Sequence, residues 1–119
     1  MERYVRQLAE LSGVVSCCVF DVSSGLEVAH AGASPGAAEL AMHGKALLGG
    51  MSASSRKLGL GHALPEALIT LGSHHLLLRA VPGHAGIALH AVFDKSTNPM
   101  LARVQVQRLD AAIEGPAPG

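Results

Sequence analysis

Apolar positions change their spacing several times along the chain, and each change predicts an element. Near the start, Val5, Leu8 and Ala9 share one helical face with Tyr4 and Leu11 beside it. Glu2, Arg6 and Glu10 stand four apart on the other side, where they can pair. Gly13 is a natural helix stop. The next stretch, VVSCCVFDV, is apolar and β-branched, as a buried strand is. A Ser23-Ser24-Gly25 turn and the return strand LEVAHA complete a hairpin.

A long helix follows, with Ser34 as N-cap, Pro35 at its first position, Arg56 and Lys57 in its last turn, and Gly59 as its stop. Leu40, Ala41, Gly44, Leu47, Leu48 and Met51 repeat at helical spacing. The remaining faces are scarcely polar. Ala46 to Ser55 carries no charge and includes Gly49-Gly50, which would admit a neighbouring backbone. A helix apolar or small all round is buried on more than one side.

Three strands come next. EALITL is joined to HHLLLRAV by Gly72-Ser73, a pair suited to a type II′ turn, and PGHAG leads into IALHAVFD. Their nearly continuous apolar runs imply a sheet covered on both faces. Thr97 or Asn98 caps a last helix, with Pro99 at its start and an apolar stripe of Leu101, Val104, Leu109, Ala112 and Ile113. Gly115 and Pro116 end it. The pattern predicts one α+β domain over 1–115, in the order α-β-β-α-β-β-β-α, and a disordered tail at 116–119. A five-stranded antiparallel sheet with helices on both faces accommodates that order.

Composition adds one inference. Charged residues make up 15% of the 119, against about 25% in ordinary soluble domains. Apolar residues make up 49%, with 14 glycines besides. So few charges leave apolar surface to be covered by association. Zero net charge argues against nucleic-acid binding. No apolar run reaches the roughly 18 residues of a membrane span, and the N-terminus lacks a signal-peptide core. A cytoplasmic protein without direct membrane insertion is expected.

Candidate chemistry is sparse. Cys17 and Cys18 are adjacent, so on a strand they point to opposite faces and cannot readily share a metal or a redox partner. They read as buried filler. The seven histidines (His30, His43, His62, His74, His75, His84 and His90) form no His-x-x-x-His or HExxH pair. No glycine pattern makes a phosphate cradle, and no GxSxG elbow is present. Asp21 and Asp94 end apolar strands, where turn and helix capping outweighs acid–base work. No enzyme, cofactor or metal is expected.

The pattern is nevertheless specific. Leu8, Leu11, Gly13, Val14, Asp21, Gly25 and Leu26 early, with Asp94, Asn98 and Arg103 late, match a known motif. Over essentially its whole length the chain resembles the Roadblock/LC7 domain family, in its bacterial, MglB-like branch. Pro99 and the glycine- and serine-rich second helix depart from the usual pattern. The resemblance implies a profilin-like fold and a dimer formed through the long helix and the strand after it. Those positions are Leu40, Leu47, Leu48 and Met51, with Glu66, Ala67, Leu68, Ile69 and Thr70. It further implies a non-enzymatic scaffold or regulator that binds a small Ras-like GTPase, with His43, Ala46, Gly50 and Met51 as the expected contact surface. A small-ligand sensor of profilin-like architecture, its histidines supplying polar contacts, is the alternative.

Overall fold

The computed structural model describes residues 1–32, 35–61 and 66–113. The elements are α1 (Glu2–Glu10), β1 (Val14–Asp21), β2 (Glu27–Ala31), α2 (Ala37–Lys57), β3 (Ala67–Thr70), β4 (His74–Ala80), β5 (Ile87–Asp94) and α3 (Pro99–Arg108), with a 3-10 turn over Leu109–Ala112. The five strands form one sheet in the order β2-β1-β5-β4-β3, every neighbouring pair antiparallel. The expected α+β architecture is therefore present, with β2 and β3 at the edges.

Strand parity separates two cores. Cys17, Val19, Leu77, Leu89, Ala91 and Phe93 face one side, where Tyr4, Val5 and Leu8 of α1 and Ala102 and Val106 of α3 pack on them. Cys18, Phe20, Leu78, Ala88 and Val92 face the other side, beneath Leu40, Ala41 and Leu48 of α2. Both cysteines are fully buried, one in each core. Burial pushes their thiols up to about 11 and about 12, out of the reactive range.

The local expectations hold in part. Gly13, Gly25 and Gly59 take positive φ at the three predicted stops and turns. Asn98 caps α3, its Oδ1 accepting from the Met100 and Leu101 amides, with Pro99 in the first turn. Such a cap contributes about 1 kcal/mol. Asp21 Oδ1 accepts from the amides of Ser23 and Ser24 and the Ser23 hydroxyl, and Asp94 Oδ1 from the amide and hydroxyl of Ser96. Both strand-end carboxylates are thus turn caps. These bonds stabilise the charged form and lower both carboxyls, the Ser23 hydroxyl counting most at Asp21 and the Ser96 amide at Asp94.

Four details differ. Ala9 is exposed, because α1 spends its inward face on Tyr4, Val5 and Leu8. α2 begins later than expected, with Gly36 at the N-cap and Pro35 outside the helix; Ser34 lies outside the described residues. Gly72 does not take positive φ, so the Leu71–His74 turn is not type II′. In α3, Leu101 and Val104 face outward while Ala102 and Val106 are buried, because the helix turns that face onto the core on the α1 side of the sheet. His62, Gly115 and the 116–119 tail also lie outside the described residues. Among the described residues no helix is long and apolar enough to cross a membrane.

Candidate interaction surface

The sheet order leaves β3 bonded on one side only, to β4, with Thr70 opposite His75 and Ala67 opposite Leu78. An edge strand presents a row of unpaired amides and carbonyls, a template for another strand. β3 is held in place from both ends. Arg103 of α3 makes a two-pronged pair with Glu66, Nε to Oε1 at 2.5 Å and Nη2 to Oε2 at 3.2 Å. At the other end His75 spans Thr70 Oγ1 and the Lys95 carbonyl, each at 3.2 Å. A carbonyl only accepts, so Nε2 carries a proton there.

α2 supplies the second part of the surface. Its packing is concentrated on β1, β2 and β5, away from β3. On that side of the sheet Ala67, Ile69 and Leu76 are therefore only half-buried, an apolar margin extending from the covered core to the open edge. The outward face of α2 includes the exposed residues Met42, His43, Ala46, Leu47, Gly49 and Gly50, and Met51 is half-buried beside the core. A Cβ added at Gly49 or Gly50 would meet nothing within 4 Å, so no described element of this chain approaches the glycine pair.

The sequence-predicted positions thus fall into two sets. Leu47, Met51 and the strand Ala67–Thr70 lie on accessible or half-covered surface, as do His43, Ala46 and Gly50. Leu40 and Leu48 do not: they are 4% and 0% exposed, spent on the chain's own core. Helical repetition alone does not separate inward Leu48 from outward Leu47. Leu76 joins the apolar margin without having been singled out by the sequence pattern, although its place in an alternating β4 run puts it on the same side as Leu78.

One glycine matters more than the pair. Gly44 is buried, and a Cβ there would stand 2.7 Å from Phe20 Cζ and 3.3 Å from His90 Nδ1. It brings α2 close enough for His90 Nδ1 to reach the Leu40 carbonyl at 2.9 Å. Burial holds the His90 ring below its ordinary pKa, against the opposing effect of that bond. Among the described residues no group of three or more His, Cys, Asp or Glu is placed to hold a metal ion.

No protein-family model and no curated protein sequence matches the chain. Solved structures do. A Roadblock/LC7 domain from Streptomyces avermitilis superposes with a TM-score of 0.80 at 15% identity, over 94% of this chain and 92% of that one. Myxococcus xanthus MglB gives 0.78 at 16% identity, over 92% and 88%. The gliding protein MglB of Thermus thermophilus gives 0.73 at 17% identity, over 92% and 82%. Such coverage at such low identity is agreement in backbone path, and it establishes that this chain has the Roadblock/LC7 fold.

Proposed function

We propose that this chain is a non-enzymatic, MglB-like member of the Roadblock/LC7 family, a homodimeric scaffold or regulator that binds a small Ras-like GTPase and modulates its nucleotide cycle. The observation that carries the reading is the unpaired edge β3 with its half-buried apolar margin of Ala67, Ile69 and Leu76, beside exposed apolar and small residues on α2. A second copy placed on a two-fold axis would pair β3 with β3 and cover Leu47, Met51, Ala67 and Ile69. Leu68 and Thr70 alternate to the other side of the strand, and Glu66, held by Arg103, stands at its start. His43, Ala46 and Gly50 then offer a nearly uncharged helical surface to the GTPase, with Met51 at its margin.

Fold similarity supports this reading through the MglB structures, one of which is described in a tetrameric arrangement. A fold by itself does not carry a role. The test is a tagged pull-down from native cytosol, with dimer mass measured by light scattering. A Ras-like GTPase recovered in a nucleotide-dependent way, and lost with Gly50→Arg while the dimer persists, supports the proposal. A chain that stays monomeric, or recovers only itself, refutes the corresponding half.

A further inference from the structure

A cavity of about 270 Å³ opens between the first turns of α2 and the β3–β4 hairpin. Leu40, Leu76 and Val92 line it from the α2-side core, and Leu71 stands at its rim, 46% exposed. Glu39 and His43, both exposed, line it from the helix. Glu39 has no hydrogen-bond or ion-pair partner among the described residues. With histidines neutral, it is the only charged side chain on the described cavity wall. Glu39, His43, Ala46 and Gly50 stand at i, i+4, i+7 and i+11, which is one line along a helix surface. The cavity thus opens at the head of the stripe assigned above to the GTPase, and His43 belongs to both.

Resting on the GTPase-binding reading above, we propose that this cavity receives one large apolar side chain of the GTPase, leucine- to phenylalanine-sized, and that a lysine or arginine beside it pairs with Glu39. Ala46 and Gly50 give the stripe little to grip, since neither carries more than a methyl group. Binding energy at interfaces concentrates in a few large side chains seated in pockets. The cavity falls below the roughly 300–1,000 Å³ of sites for drug-sized ligands, and a single side chain suits it. Its apolar walls favour an apolar body through burial. The charge of the neighbour follows from Glu39. A carboxylate without a partner in its own chain is costly beneath an apolar surface. An opposing cation removes that cost, steers the encounter and fixes the register. A partner presenting an acidic residue there is rejected by the same charge.

Two substitutions in the full chain make the test. Leu71→Trp fills the mouth of the cavity, and Glu39→Lys reverses its charge. Both positions are exposed, so the far-UV spectrum and the light-scattering mass should match those of the parent. In the tagged pull-down each variant should retain less Ras-like GTPase than the parent, by at least roughly tenfold. Retention by the parent should fall with added salt, and less steeply in Glu39→Gln. Toluene, a phenylalanine side chain without its backbone, should shift the Leu76 methyl resonances of the free parent chain saturably, and not those of Leu71→Trp. Undiminished retention by Leu71→Trp, or a parent chain without a toluene response, overturns the pocket. Undiminished retention by Glu39→Lys overturns the basic neighbour. If Gly50→Arg loses the GTPase while both variants keep it, the GTPase reading stands and the pocket alone falls. A parent chain that recovers no Ras-like GTPase overturns both, whatever the toluene response.

Discussion

Gly44 of α2 lies flat against the ring of Phe20 in β1, so close that a single added carbon would stand 2.7 Å from Cζ and 2.8 Å from Cε1. This contact sets the height of the long helix above the sheet. A helical glycine costs about 1 kcal/mol against alanine. Here that cost is outweighed by the burial of Phe20 and by the reach of His90 to the helix backbone.

Gly44→Ala is therefore expected to destabilise the chain by about 1–3 kcal/mol through overpacking. Gly49→Ala, in open space further along the same helix, should leave stability unchanged or raise it by up to about 1 kcal/mol. Urea unfolding of the two variants checks both. A Gly44→Ala chain as stable as the parent would mean that Phe20 and α2 can part without loss.

Gly13 should prove equally intolerant, for a different reason. It takes φ of +87°, its carbonyl accepts from the Asp94 amide at 2.7 Å, and an added Cβ would overlap the Thr97 hydroxyl. Gly13→Ala combines a left-handed backbone, costing about 1–2 kcal/mol, with that overlap. In a double-mutant cycle, Thr97→Gly should recover the steric part and leave the backbone part. Full additivity would show that the two residues do not press on each other.

The two cysteines should be inert in the native state. With thiols near 11 and 12, neither holds an appreciable thiolate fraction at about pH 8. A thiol-specific colorimetric reagent should label neither until urea unfolds the chain, and then both. Prompt labelling of one thiol would mean that its core opens locally.

Acid should weaken the fold in two stages. His90 is held below its ordinary value of 6.5 by burial, so the unfolded chain takes up that proton first. Its contribution is complete above about 6.5 and declines as the pH falls below that value. Asp21 and Asp94, lowered from 3.8 by their turn hydrogen bonds, contribute above 3.8 and lose that contribution as the pH drops through their folded values. Urea midpoints from about pH 8 to about pH 5 should fall, and His90→Gln should flatten the decline. An unchanged slope in that variant would assign the first stage to another group.

Much of this protein is legible in its sequence because the responsible physics is local. Strand alternation by itself puts Cys17 and Cys18 on opposite sides of the sheet, and the nearly unbroken apolar run around them implies cover on both faces. Gly13, Gly25 and Gly59 punctuate the chain where only a residue without a Cβ is comfortable, and Asn98 next to Pro99 marks a helix start by its own hydrogen bonds. The ten motif residues point to the Roadblock/LC7 fold that the solved structures share.

The three-dimensional arrangement decided what local rules could not. Leu47 and Leu48 are neighbours of the same type, and only the rotation of α2 over β1 and β5 sends one outward and the other into the core. Leu101 and Ala102 are exchanged in the same way by the rotation of α3 over the sheet. The importance of Gly44 over Gly49 and Gly50 depends on Phe20 and His90, which are distant in sequence. The free edge of β3 follows from strand order, and strand order is set by which long-range pairings bury most apolar surface. That is a property of the whole chain, and no window of it contains the answer.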